Sequence, residues 1–240
     1  MASSLSSADA SKLAAARACV RAELRDGMRL GVGSGSTVKF LVDVLADALH
    51  NGQLKDIQCT RKWLRDAGLP VQSVDVLHEL DVTIDGADEI DHQLNCIKGG
   101  GGCLLQEKLV QQCAKKFVLI SAKEKFVPHL GTAYKSVPIE VAPYGWAPVQ
   151  KWIVDKLGGR CVMRMDQKKC FPTITENHNY IFDWHFPRPA NAVDWRNVHE
   201  KLIQITGVVE TGLFVGSARV GYFGDEDGNV RVVNFSDGAE

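Results

Sequence analysis

The chain has 240 residues, 45% hydrophobic and 24% charged, with a formal net charge of −1. That length and apolar content suffice to bury a sizeable core, as one large domain or one domain carrying a smaller one. The near-neutral charge excludes a whole-protein field drawing in nucleic acid, an anionic membrane or an acidic protein partner, so attraction for any anionic ligand must be local.

Leu13, Ala16, Val20 and Leu24 recur at helical spacing after serines able to cap a helix, and Asp26-Gly27 ends it. MRLGVGSGST reads as a short buried strand running into a glycine-rich turn. Apolar positions Phe40, Leu41, Val44, Leu45 and Leu49 then predict a helix over about 37–50. Strand, glycine loop and helix in that order open a βα unit. Further strands are expected at 71–76, 80–85 and 117–121, with a helix at 103–116. Such alternation implies a parallel sheet covered on both faces.

From about residue 131 the texture changes. SVPIEV reads as a strand, PVQKWIVDKLGG as a helix, CVMRM and NYIFDW as strands, DWRNVHEKLIQI as a helix and GVVETG as a strand. This β-α-β-β-α-β order is the ferredoxin-like pattern. LFVGSARVGYFG and VRVVNF resume short apolar strands joined by the turn GDEDGN. The sequence therefore predicts a small α+β unit inserted within a larger α/β domain.

Seven scattered cysteines, without a CxxC pair or histidines at zinc-ligand spacing, argue for reduced thiols in a cytoplasmic protein rather than a disulfide framework. The N-terminal stretch lacks the basic and apolar regions of a secretory signal, and no apolar run approaches transmembrane length. The dispersed tryptophans Trp63, Trp146, Trp152, Trp184 and Trp195 are expected to pack in the core or at interfaces rather than form a stacking surface.

Three segments hold chemistry. Gly33-Ser34-Gly35-Ser36-Thr37 lies between a strand and a helix, where free backbone N–H groups, the helix N-terminus and three hydroxyls suit a phosphate. The loop lacks the Walker lysine and GxGxxG spacing, so a nucleotide is not indicated, and the same string also serves as a plain helix cap. Asp85-Gly86-Ala87-Asp88-Glu89 follows a strand and concentrates carboxylates at a place where α/β proteins bind ligands. Such acids can accept sugar hydroxyl protons, act in acid–base chemistry, hold a divalent cation or simply form a solvated turn. Against a metal, His92 is the only histidine nearby and Lys98 competes for the same acids. Lys98-Gly99-Gly100-Gly101-Gly102 loses much backbone entropy on ordering, which points to unusual dihedrals or close ligand approach, or else to a linker. Lys98 offers charge to a phosphate or developing oxyanion, and Glu107 stands one turn into the helix that follows.

In this order GSGST, DGADEID, KGGGGCLLQEK and ITGVVETGLF resemble the signature blocks of the ribose-5-phosphate isomerase A family, over nearly the whole chain. The resemblance implies a Rossmann-like α/β domain from residues 1–132 and 211–240, with a ferredoxin-like α+β domain inserted at 133–210. It implies phosphate contact at Ser34, Gly35, Ser36 and Thr37, and substrate contact at Asp85, Gly86, Ala87 and Asp88. Lys98, Gly99, Gly100 and Gly101 would line the same pocket, Glu107 would be the proton acceptor, and Lys125 a further ligand contact. Lys12 is a secondary candidate for the phosphate. No metal, no other cofactor, no nucleic acid and no membrane is implied, and the assembly would be a homodimer or homotetramer. IQCTRKW departs from the pattern, being shorter than the strand and Thr/Ser-bearing loop usual in the family.

The activity so implied moves a proton between C2 and C1 of an aldopentose phosphate through a cis-enediolate, with Glu107 as shuttle. Lys98 and the glycine amides would stabilise the enediolate oxygen, while Asp85 and Asp88 are candidates for ring opening. Two other classes share features with this chain. A sugar-phosphate sensor on this fold carries a helix-turn-helix in front, where only a short helix is expected here. An acyl-CoA transferase-like enzyme would use its glutamate as a nucleophile.

Overall fold

The computed structural model describes residues 6–60, 71–166, 170–188, 190 and 193–235. They divide into two compact units, the first from residues 1–87, 107–126 and 217–240 and the second from 88–106 and 127–216. The insertion expected at 133–210 lies wholly within the second unit, which also takes in 88–106.

In the first unit, α1 (Ser7–Glu23) is capped by Ser6, whose side chain accepts from the Asp9 N–H, and buries Ala15, Ala16, Cys19 and Val20. Strands β1 (Arg29–Val32), β2 (Gln58–Thr60) and β3 (Val71–Gln72) flank α2 (Ser36–His50) in the chain. The expected strand at 71–76 stops at Gln72. Ser73 turns the chain instead, its hydroxyl reaching Asp75 at 2.7 Å while its carbonyl accepts from Val76, a local hydrogen bond that competes with the sheet ladder.

β4 (Val82–Asp85) follows, then β5 (Glu89–Ile90) and β6 (Cys96–Ile97), α3 (Leu104–Gln112) and β7 (Phe117–Ala122). The helix expected at 103–116 ends early because the Cys113 carbonyl accepts from Leu80 and the Lys115 N–H donates back to Leu80. A tertiary bridge thus takes the backbone groups that the next helical turn would need.

The second unit holds β8 (Val137–Val141), α4 (Trp146–Leu157), β9 (Arg160–Met163), β10 (Met165–Asp166), β11 (Phe171–Pro172), β12 (Tyr180–His185), α5 (Trp195–Ile203), β13 (Val208–Thr211) and β14 (Leu213–Phe214). The first unit closes with β15 (Val220–Gly224) and β16 (Val230–Asn234).

Among the described residues the first unit has a seven-stranded sheet in the order β16-β15-β7-β4-β1-β2-β3. Its strands are parallel except β16, which pairs antiparallel with β15. β4 and β7 are buried at every position, as a parallel sheet covered on both faces requires. Apolar side chains of α1 and α2 pack on it with Leu30, Val32, Ile84, Val118 and Ile120. The second unit's sheet runs β13-β8-β12-β9 with antiparallel neighbours, which is the ferredoxin-like arrangement of two β-α-β halves. Val137, Ile139 and Val141 share a core with Val149 and Ile153 of α4 and Leu202 of α5. Side chains alternate across a strand, so Pro138 and Glu140 turn to the other face. Trp184 and Trp195 sit in this core, Trp146 and Trp152 are exposed, and Trp63 lies outside the described residues.

Candidate active site

In the first unit the neighbouring strands β7, β4 and β1 end side by side, and each carboxyl end carries a segment singled out from the sequence. β1 leads into Gly33–Thr37, β4 ends on Asp85 and leads into Gly86-Ala87, and β7 leads into Lys123–Lys125. Carboxyl ends of parallel strands are where open α/β sheets bind ligands.

The turn after β1 is built around the acid at the end of β4. The Gly33 N–H donates to the Ile84 carbonyl at 2.9 Å, and the Ser34 N–H donates to Asp85 Oδ1 at 3.0 Å. Gly86 N–H donates to the same oxygen at 2.7 Å. A Cβ at Gly33 would lie 1.7 Å from Asp85 Cγ, so the absent side chain at 33 is the space that the Asp85 carboxyl fills. Asp85 is 1% exposed, and one of its oxygens accepts from both N–H groups.

Glu107 stands in the first turn of α3, 5% exposed, and the Ser34 hydroxyl donates to its Oε1. Ser34 therefore binds both acids, Asp85 through its N–H and Glu107 through its hydroxyl. The more exposed positions of the turn are Gly35 and Ser36. Gly35 is the N-cap of α2, with φ 97°, and the first turn of that helix carries no acid. A glycine cap has no side chain to satisfy the first N–H groups, which leaves them to water or to a ligand. Thr37 is buried, 3.5 Å from where a Cβ at Gly86 would stand, so the turns after β1 and β4 touch. Lys125 donates to the Ala87 carbonyl at 2.8 Å. Lys12 pairs with Asp9 at 3.1 Å and stands 5.9 Å from the Phe40 ring on α2.

In the second unit, Asp88 donates its N–H to the Ile97 carbonyl and its carboxylate accepts from the Gly100 N–H at 2.7 Å. Lys98, 2% exposed, donates its backbone N–H to Gly212 and stands 5.5 Å from the Phe214 ring centroid. The glycine run is an ordered turn, with φ 94° at Gly99 and a hydrogen bond from Gly102 N–H to the Gly99 carbonyl. A Cβ at Gly99 would come within 2.8 Å of Leu104, which explains the residue physically. Gly101 is exposed.

The first unit thus brings together Ser34, Gly35, Ser36, Thr37, Asp85, Gly86, Ala87, Glu107 and Lys125, and the second gathers Asp88 with Lys98–Gly101. Among the described residues no group of three or more His, Cys, Asp or Glu is placed to hold a metal ion, and no helix is long and apolar enough to cross a membrane. β2 ends at Thr60, and the remainder of the short IQCTRKW segment lies outside the described residues.

The model of the family described as ribose 5-phosphate isomerase A (phosphoriboisomerase A) matches residues 58–228. This chain belongs to the ribose 5-phosphate isomerase A family. A probable ribose 5-phosphate isomerase of Caenorhabditis elegans is 47% identical over 228 residues, covering 92% of this chain and 91% of the relative. The ribose-5-phosphate isomerase of Homo sapiens is 39% identical over 237 residues, covering 96% and 75%. Among solved structures, a D-ribose-5-phosphate isomerase in complex with phospho-erythronic acid superposes with TM-score 0.86 at 31% identity, covering 93% of this chain and 97% of the other. Ribose 5-phosphate isomerase from Plasmodium falciparum gives 0.85 at 32% identity, with the same coverage.

Sequence reasoning for this isomerase-family chain overlooked three features. Gly33 belongs to the glycine-rich string, whose glycines were read as freeing backbone N–H groups for a phosphate, whereas its lack of a side chain admits Asp85. Ser34 was assigned to phosphate alone. Arg164 binds the glycine run and is itself held by Asp183, and their only signal was a lone charge within the apolar strings CVMRM and NYIFDW.

Proposed function

We propose that the chain interconverts D-ribose 5-phosphate and D-ribulose 5-phosphate, with Glu107 as the proton shuttle. The observation that carries the reading is the buried Glu107 carboxylate held by Ser34, which also binds Asp85, at the carboxyl edge of the sheet. Family membership and a relative solved with phospho-erythronic acid, a phosphorylated sugar acid, support a sugar phosphate as ligand.

In the open-chain aldose, Glu107 takes the proton from C2 and the electron pair of that bond forms the C1=C2 double bond of a cis-enediolate. Returning the proton to C1, with transfer of the hydroxyl proton from O2 to O1, gives the ketose. A positioned base of this kind contributes about 10²–10⁴-fold. Asp85 is proposed for ring opening and hydroxyl proton transfer together with Asp88, and Lys98 for charge stabilisation of the enediolate oxygen. The N–H of Gly100 is bound by Asp88 and that of Gly102 by Gly99, so the amide contribution of the run is assigned to Gly99 and Gly101.

The phosphate is assigned to the first turn of α2, at Gly35, Ser36 and Thr37, with Ser34 completing the turn. Ser34 is already bound to two acids, and like charge near them would disfavour a phosphate held by Ser34 alone. Binding energy there orients C1 and C2 against Glu107. Lys125, fixed on the Ala87 carbonyl, supplies positive charge to the same edge. Seven free thiols fit a reducing compartment, and we place the enzyme in the cytoplasm.

The test is a direct assay of ribose 5-phosphate conversion, run with and without exhaustive chelation and with acyl-CoA esters as control substrates. Conversion that survives chelation is expected. Acyl transfer without isomerisation, or activity lost on chelation and restored by Mn²⁺ or Mg²⁺, would contradict the reading.

A further inference from the structure

The second unit contains a clamp on the glycine run that no step above uses. Arg164 follows β9, and its backbone is fixed on both sides: its N–H donates to Ile181 at 2.7 Å and its carbonyl accepts from Thr173 at 2.8 Å. The guanidinium lies between two sets of acceptors. Nε donates to Asp183 Oδ2 at 2.9 Å and Nη2 to Asp183 Oδ1. Nη1 donates to two successive carbonyls, Gly99 at 2.8 Å and Gly100 at 3.1 Å. Carboxylate and guanidinium are both largely buried, with side chains 23% and 17% exposed.

Peptide planarity turns this contact into an orientation. In a trans peptide the N–H points opposite to the carbonyl of the preceding residue. Fixing the Gly99 carbonyl on Arg164 therefore directs the Gly100 N–H away from the arginine, where the Asp88 carboxylate accepts it. Fixing the Gly100 carbonyl directs the Gly101 N–H away in the same manner. Four consecutive glycines have little preference of their own for any such orientation. The cationic donor also polarises the two peptide groups it binds, which strengthens their N–H groups as donors.

We propose that Arg164, held by Asp183, is a positioning residue for the isomerase reaction: it sets the orientation of the Gly99–Gly101 peptides so that the Gly101 N–H serves the developing enediolate oxygen. This rests on the reading that the glycine run lines the reacting end of the substrate. The planar fork is essential, because a lysine ammonium cannot hold the carboxylate edge and two carbonyls at fixed angles.

The experiment compares Arg164→Lys, Arg164→Ala and Asp183→Asn with the unaltered enzyme and with Glu107→Gln, reading kcat and KM separately and thermal unfolding by circular dichroism. For folded Arg164→Ala, kcat is expected to fall about 10²-fold, the scale of a small misplacement near the reacting atoms, with KM changed far less. Arg164→Lys should recover little of this, and Asp183→Asn, which keeps the shape of the partner, should lose less. Millimolar guanidinium ion should restore part of the kcat of Arg164→Ala and leave the unaltered enzyme unimproved, which a merely structural loss would not do. If Glu107→Gln is inactive while folded Arg164→Ala turns over normally, or its loss resists guanidinium and appears wholly in KM, the positioning role is overturned. Retained turnover in Glu107→Gln would instead overturn the underlying reading.

Discussion

The hydroxyl of Ser34, in the turn after β1, donates to Oε1 of Glu107 in the first turn of α3, across 73 positions of sequence. The same residue donates its backbone N–H to Asp85, so one residue holds two buried acids, Glu107 through its side chain and Asp85 through its main chain. Removing the hydroxyl should matter without unfolding the chain. Ser34→Ala is expected to lower kcat about tenfold, the scale of one lost hydrogen bond to a charged group, with unfolding little altered. An unchanged kcat would deny Ser34 a part in holding the base.

Gly33→Ala tests the packing of the turn on Asp85. A methyl group there would overlap the Asp85 carboxyl, so either the turn or the acid must move. Destabilisation of about 1–3 kcal/mol is expected, as for overpacking, together with a loss of turnover near 10²-fold, as for a displaced reacting group. Denaturant unfolding and steady-state kinetics on the same preparation measure both.

Acid stability should depend on Asp81. The Arg29 N–H, at 2.9 Å, and then Lys115, at 2.9 Å, hold its carboxyl below its ordinary value. A carboxylate depressed in the folded state contributes stability that is present above the unfolded pKa and is lost as pH falls through the folded one. Because this pair is partly exposed, Asp81→Asn should cost only about 0.5–1 kcal/mol near pH 7. That difference should shrink towards zero in strong acid. A difference that stays constant down the acid limb would contradict the assignment.

Thiol reactivity should divide the cysteines by burial. Desolvation pushes the Cys59 and Cys161 thiols up to about 12, and the buried Cys19 well above its ordinary value. The thiolate is the reactive form, so alkylation at pH 8 should spare Cys19, Cys59 and Cys161 while marking the exposed Cys170 first. Peptide mapping by mass spectrometry reads the order, and rapid native labelling of Cys59 would count against this packing.

The α/β order is legible in the sequence because central parallel strands are buried throughout and read as continuous apolar runs, as in VTID and FVLISA. The ferredoxin-like order is legible for a similar reason, with two amphipathic helices set between strand strings. Element ends are less so: Ser73 and the Leu80–Cys113 bridge cut short a strand and a helix whose apolar pattern continues. The two-residue strands β5, β6 and β14 leave no periodic trace. At the candidate site, the glycine strings and the acidic turn are visible as composition. The hydrogen bonds that give them direction, Ser34 to Glu107 and Arg164 to Gly99 and Gly100, join distant positions and leave only isolated polar residues as a sign.

The most direct test of the central claim is the isomerisation rate of Glu107→Gln with ribose 5-phosphate, alongside exchange of the C2 hydrogen with solvent. Glutamine keeps the size of the side chain and a carbonyl oxygen able to accept from Ser34, but it cannot take the proton. The account predicts a folded protein that still binds the sugar phosphate, turns over at least about 10²-fold more slowly and shows a matching loss of C2 exchange. Near-normal turnover with exchange intact would contradict Glu107 as the shuttle.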